Sequence, residues 1–157
     1  MNIKFNIKNS YQFLKFGLVG FSNTVISTLV TYLVIFLCNL YLAPHLSNIT
    51  NEFSKLLVSQ IANLIGFIVG VLNSYYWNNK YVFTLEKDEN RNTLKTFIKT
   101  FIAYASTGIL LNGALLILWV NVLHISQYIG PIINLIITIP LNYVINKYWA
   151  YKKTHSM

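Results

Sequence analysis

Residues 100–146 read TFIAYASTGILLNGALLILWVNVLHISQYIGPIINLIITIPLNYVIN, a run without Lys, Arg, Asp or Glu in which His124 is the one titratable group of consequence near neutral pH. A helix rises about 1.5 Å per residue and a bilayer core is about 30 Å thick, so the run holds two crossings and a short turn. Polar residues and a helix starter collect in its middle: Asn121, His124, Ser126, Gln127, Gly130 and Pro131. Proline in the first turn of a helix gives up no hydrogen bond, so a new span opens there. The stretch predicts a membrane hairpin.

The totals agree. Of 157 residues 55% are hydrophobic and 10% charged, against about 25% charged in an average soluble protein, and the deficit is where an aqueous surface would be. The length suits one domain, 1–157, without an extramembrane part. A net charge of +8 raises nucleic acid as a partner, but the basic residues flank apolar spans and form no aromatic-interleaved patch, so anionic lipid is the expected counter-charge and no nucleic acid is expected. Cys38, the one cysteine, has no intrachain disulfide partner and reads as a packed thiol.

Outward from the hairpin, Lys4, Lys8 and Lys15 precede Phe16–Cys38, which is too long for the apolar core of a signal peptide (about 7–15 residues) and reads as an uncleaved first span. Leu56–Asn79 is the second, ending in Asn73, Ser74, Tyr75, Tyr76, Trp77, Asn78 and Asn79, the kind of cluster that settles at headgroup level. The loop 39–55 between them carries the pair Glu52 and Lys55, a short surface helix expected after Thr50, and a sequon at Asn48 to Thr50 that has little weight alone. The expected spans are roughly 16–38, 56–79, 100–120 and 128–148, with a cytoplasmic loop 80–99. Both termini and that loop hold 11 of the 12 basic residues, and Lys55 stands alone on the other side. The positive-inside rule therefore puts the amino and carboxyl termini in the cytoplasm.

The chain also matches itself. Phe13-Leu14-Lys15 corresponds to Phe97-Ile98-Lys99, and without gaps Ser22 then falls on Ser106; Asn78-Asn79-Lys80-Tyr81-Val82-Phe83 lies over Asn146-Lys147-Tyr148-Trp149-Ala150-Tyr151. Each half has two spans, so the repeats run in the same direction. The expected fold is an all-α membrane protein of four transmembrane helices, arranged as two parallel-repeat hairpins.

Three of these segments resemble the GtrA-like membrane proteins. They are Phe13-Leu14-Lys15-Phe16-Gly17-Leu18-Val19-Gly20-Phe21-Ser22-Asn23-Thr24, Tyr76-Trp77-Asn78-Asn79-Lys80-Tyr81-Val82-Phe83 and Pro140-Leu141-Asn142-Tyr143-Val144-Ile145-Asn146-Lys147-Tyr148-Trp149. The likeness covers nearly all of residues 11–152, with two departures: Asn79 stands where the family often has a basic residue, and Tyr151 replaces a usual Phe. The resemblance implies a four-span protein of the bacterial plasma membrane that serves cell-surface polysaccharide synthesis by flipping an undecaprenyl-phosphate-linked sugar. It implies two partners besides that lipid, a separate polyprenyl-phosphate sugar synthase and a membrane glycosyltransferase. The alternative is a non-transporting accessory subunit that positions the glycosyltransferase; a small-solute exporter unrelated to glycans is a third reading.

A phosphosugar crossing hydrocarbon needs a path of polar partners, since a bare charge at mid-membrane costs several kcal/mol or more. Helical spacing offers Asn63, Gly66, Gly70 and Asn73 in the second span and Asn134, Thr138, Asn142 and Asn146 in the fourth. Asn23, Ser27 and Thr31 in the first span and Ser106, Gly108 and Asn112 in the third complete an inward polar set. The structural explanation for each amide is helix-to-helix bonding, at about 0.6 kcal/mol per contact. Pro140 frees the carbonyl of Ile136. Lys80 and Lys147 are the candidate contacts to a lipid phosphate, with Asn73, Asn78, Asn142 and Asn146 beside them and Trp77, Tyr81 and Trp149 as flat faces for sugar or isoprenoid. Lys15 and Lys99 stand at the other two helix ends as topogenic anchors or further contacts. The four carboxylates, Glu52, Glu86, Asp88 and Glu89, lie in loops, which speaks against a proton-coupled exporter. No metal is expected, since His45, His124 and His155 lack ligand spacing, and no cofactor or enzymatic activity is expected, since no Gly-rich phosphate loop and no nucleophile and base arrangement occurs. Gly66 and Gly70 are candidate close-contact positions for a homodimer.

Overall fold

The computed structural model describes residues 7–41, 52–86 and 89–155 and is mostly helical. Among these, three helices are long and apolar enough to cross a membrane: Asn9–Tyr41, Lys55–Val82 and Thr93–Val122. The first is α1 (Ile7–Tyr41); the second is α2 (Glu52–Trp77), prolonged by a wide turn over Asn78–Val82. The third joins α3 (Thr93–Ala105) and α4 (Asn112–Ile117) through wide turns at Ser106–Leu111 and Leu118–Val122. A last rod, α5 (Gly130–Ile145), continues through Asn146–Ala150, and Asn134, Asn142, Asn146 and Lys147 dilute its apolar run. The sequon falls outside the described residues, and the surface helix expected after Thr50 is the opening of α2 itself.

The third helix starts seven residues before the expected Thr100. Asn92 caps it from an extended conformation (φ −72°, ψ 116°), its Oδ1 accepting from Lys95 N at 2.8 Å. Charge keeps residues 93–99 out of hydrocarbon, not out of a helix, so Lys95 and Lys99 ride on its first turns. The turn after Val122 lies where polar residues collect. His124 takes a left-handed conformation (φ 52°), Ile125 N bonds back to Trp119 O at 2.7 Å, and Pro131 sits in the opening turn of α5. Pro140 lies within α5 without ending it.

Two compact units make up the chain. One comprises Leu18–Trp77, an antiparallel hairpin of the bulk of α1 against α2. Its contact face on α2 includes Ala62, Gly66, Gly70 and Ser74, all buried at every fourth position. Thr31 Oγ1 reaches Ala62 O at 3.4 Å, and a Cβ on Gly66 would stand 2.7 Å from Ser27 O, while one on Gly70 would meet Asn23 and Ser27. Small residues let the two backbones approach, as helices in lipid require. The predicted face is thus rotated slightly: Asn63 is exposed, and Gly66 and Gly70 are occupied by α1 of their own chain instead of a second copy.

The other unit holds α1 up to Gly17 together with the chain from Asn78 onward. Here α5 lies antiparallel to α3 and α4, and its lane of Gly130, Asn134, Thr138, Asn142, Asn146 and Ala150 is turned inward at every fourth residue. Asn134 uses its whole amide: Oδ1 accepts from Trp119 Nε1 at 2.7 Å, and Nδ2 donates to Asn112 O at 3.1 Å and approaches Asn112 Oδ1. Thr107 Oγ1 donates to Asn142 Oδ1 at 2.7 Å. On the third rod the buried lane is Thr96, Thr100, Ala103 and Thr107, whereas Ser106 and Gly108, expected to face inward, are exposed. A two-residue ladder pairs β1 (Glu89–Asn90) with β2 (Thr154–His155), Glu89 opposite His155 and Asn90 opposite Thr154.

Candidate functional site

Both long rods that end near the loop 80–99 close in the same way. Phe83 N bonds to Asn78 O and Tyr151 N to Asn146 O, each at 2.8 Å and each spanning five residues instead of four. A widened last turn leaves outward carbonyls that need donors. Lys15 Nζ supplies one to Tyr81 O at 3.4 Å, and Lys99 Nζ one to Trp149 O at 3.1 Å. Lysine at a helix C-terminus also meets the negative end of the helix dipole. The repeat seen in the sequence therefore has a structural counterpart, with Lys15 and Lys99 as equivalent caps.

Between the two ends sits an aromatic cluster. Phe83 stacks on Tyr151 with centroids 4.6 Å apart, Phe16 lies 5.6 Å from Tyr143, and Phe13 meets Tyr143 edge-on at 5.2 Å. Arg91 closes it from the loop, donating to Phe83 O at 2.9 Å, to Tyr151 O at 3.3 Å and to Asn79 Oδ1. Asn79, where relatives were expected to be basic, thus receives a cation from twelve residues away.

Lys147 is held by a relay. Its Nζ donates to Asn9 Oδ1 at 2.9 Å and to Tyr143 Oη at 3.0 Å; Tyr143 donates to Gln12 Oε1 at 3.0 Å, and Gln12 Nε2 to Val82 O at 2.8 Å. The ammonium also lies 5.2 Å and 5.7 Å from the rings of Tyr143 and Tyr148. It lines a cleft of about 440 Å³ with Asn9, Gln12, Phe83, Tyr148 and Tyr151, which Glu89 and Lys153 close. A second cleft of about 380 Å³ holds Lys95, Lys99 and Lys152, and a third of about 180 Å³ holds Tyr11, Lys15 and Tyr81; Lys153 borders all three.

None of the other expected site residues lines the Lys147 cleft. Lys80 stands 5.3 Å over the exposed Tyr81 ring and borders neither of the other two clefts. Asn78 is buried, its Nδ2 3.4 Å from Tyr104 Oη; Asn146 is buried, its Nδ2 donating to Asn142 O at 2.8 Å. Trp149 is exposed, with Lys99 5.4 Å from its ring. Asn73 and Trp77 belong to the Leu18–Trp77 unit, where Trp77 Nε1 donates to Asn73 Oδ1 at 2.9 Å. Arg91, Asn9, Gln12 and Tyr143 were not singled out by sequence; polar Asn9 and Gln12 one turn apart beside Phe13 and Phe16 are the only signal there. Among the described residues no three His, Cys, Asp or Glu converge on a metal site.

No solved structure matches the chain. A cell wall teichoic acid glycosylation protein, GtcA of Listeria monocytogenes, is 32% identical over 97 residues, which are 59% of this chain and 63% of that protein. The match thus spans less than two thirds of that relative's length. A family model described as GtrA/DPMS, transmembrane domain, matches residues 15–151. With three long apolar helices and paired closing turns largely inside that range, the chain is a membrane protein that belongs to the GtrA/DPMS transmembrane family.

Proposed function

We propose that this chain translocates an undecaprenyl-phosphate-linked sugar across the bacterial plasma membrane for glycosylation of a cell-wall polymer. In this reading α5 with its closing turn is the fourth span, and both termini and the loop 80–99 face the cytoplasm, as the bias of 11 of 12 basic residues supports. The carrying observation is the Lys147 cleft: a positioned ammonium beside the amides Asn9 and Gln12 and the rings of Phe83, Tyr148 and Tyr151. An ammonium meets a phosphate as a point charge, amides bond sugar hydroxyls, and flat rings take the apolar faces of sugar or isoprenoid. The cation lies at a helix end, where water still screens it, so headgroup capture there avoids the cost of a charge at mid-membrane. A separate synthase supplies the lipid, a membrane glycosyltransferase consumes it, and this chain makes and breaks no bond.

The test is transbilayer movement of a polyprenyl-phosphate sugar in vesicles reconstituted with the protein. Accelerated movement that falls with Lys147→Ala supports the reading. Vesicles no faster than protein-free ones overturn it; co-purification with the glycosyltransferase would then favour the accessory role.

A further inference from the structure

We propose that the cleft lined by Arg91, Lys95, Lys99, Lys152 and Lys153 binds a diphosphate-class anion, and that it is a site separate from the Lys147 cleft. It has a volume of about 380 Å³, within the range of roughly 300–1,000 Å³ usual for small-molecule sites, and no carboxylate lines it. Lys153 is neutralised by Glu89 at 2.6 Å. Among the described residues Lys95, Lys99 and Lys152 have no carboxylate partner, so three ammonium charges converge on one opening beside the Arg91 guanidinium.

Such convergence carries a like-charge penalty that an anion relieves. A phosphate monoester brings about −1.5 to −2 and leaves the cleft in large excess, whereas two linked phosphates bring more negative charge and offset more of the three lysines and Arg91. Two of the cations are fixed in advance: Lys99 is tied to Trp149 O and Arg91 to the carbonyls of Phe83 and Tyr151. Preorganised charges lose less freedom on binding. Lys95, from α3, and Lys152, from the segment after the last closing turn, add the remaining charge.

An anchoring belt does not explain the arrangement, because the repeat supplies an internal control. The Lys15 cleft is the equivalent place in the first half, and there Tyr11, Gln12 and Thr84 stand where this one has Lys95, Thr96 and Lys152. Topogenic charge alone has no reason to gather in one of two equivalent clefts. No aromatic side chain lines the Lys99 cleft, so the ligand is recognised by its linked phosphates and not by a base.

The experiment is calorimetric titration of the full chain in nanodiscs with inorganic pyrophosphate and, separately, inorganic phosphate at one fixed salt concentration. Pyrophosphate binds at least tenfold tighter, the Lys95→Gln/Lys152→Gln double variant loses tenfold or more, and the Lys95→Arg/Lys152→Arg variant stays within twofold, as does Lys55→Gln with its distant charge loss. Competition by ADP identifies a soluble source for the diphosphate, and competition by polyprenyl diphosphate in the disc identifies a lipid one. Equal affinity for phosphate and pyrophosphate, an equal loss in Lys55→Gln, or competition by neither compound overturns the proposal. The readout does not involve transport, so it stands or falls apart from the translocation reading.

Discussion

Phe83 and Tyr151 stack with their planes 28° apart, and Arg91 donates to the backbone carbonyl of each. The two residues occupy the same place in the two halves, directly after the wide turns begun at Asn78 and Asn146. One guanidinium thereby joins both closing turns. Charged donors contribute about 1.5–3 kcal/mol per hydrogen bond, and partial exposure of Arg91 favours the lower figure. Arg91→Ala is expected to destabilise the protein by about 2 kcal/mol, read as a lower unfolding temperature in detergent. Arg91→Lys recovers only part, since an ammonium lacks the fork that reaches two carbonyls. An Arg91→Ala protein that melts with the parent would remove the clasp from the account.

Within the Leu18–Trp77 hairpin, Gly66 is a closer constraint than its helix propensity suggests. A Cβ there would lie 2.7 Å from the backbone oxygen of Ser27, which has no rotamer to yield. Gly66→Ala is therefore expected to cost about 1–3 kcal/mol through overpacking. At Gly113 nothing lies within 4 Å of the added Cβ, so Gly113→Ala is expected to gain up to about 1 kcal/mol from helix propensity alone. Thermal unfolding of the two variants should move in opposite directions.

What the sequence revealed and what it hid have physical causes. Asn134, Thr138, Asn142 and Asn146 are turned inward as expected, because a regular helix keeps every fourth residue near one face. The third span lost its phase at Ser106–Leu111: a wide turn holds one extra residue, which rotates the remainder of the rod by about 100°. The lane Thr96, Thr100, Ala103 and Thr107 therefore resumes at Asn112, and Ser106 and Gly108, chosen by residue type, face outward. Arg91 was illegible for another reason. Two of its partners are main-chain oxygens 8 and 60 residues away, and a backbone carbonyl leaves no mark on composition. The aromatic and lysine borders were legible as borders only; that Lys15 and Lys99 cap Tyr81 and Trp149 depends on the widened turns.

Asn134 offers an optical test of the buried lane. Its side-chain oxygen accepts the indole N–H of Trp119, and the residue is 1% exposed. Asn134→Leu leaves that N–H and the Asn112 carbonyl without their partner, at about 0.6–1.7 kcal/mol by the scale of polar contacts between membrane helices. In a background where Trp77 and Trp149 are Phe, the emission of Trp119 should shift to shorter wavelength as its hydrogen bond is lost. An unchanged spectrum would mean that the indole does not lean on Asn134.

Lys80 and Lys147 look alike in the sequence, each following an amide at a helix end, and their surroundings separate them. Lys147 is fixed by Asn9 and Tyr143 in a cleft of about 440 Å³, whereas Lys80 lies over Tyr81 and borders none of the three clefts. A charge-assisted contact of about 1.5–3 kcal/mol corresponds to roughly 10- to 100-fold in affinity. Lys147→Ala is therefore expected to weaken binding of a polyprenyl-phosphate sugar by at least tenfold, and Lys80→Ala by less than twofold. Tyr143→Phe should fall between them, since it removes the hydroxyl that orients Lys147 and leaves the charge. Binding of the lipid to nanodisc-embedded protein, followed by native mass spectrometry, reads all three. Equal losses at Lys80 and Lys147 would show that the headgroup senses only the cationic border, and the relay through Tyr143 and Gln12 would then have no part in recognition.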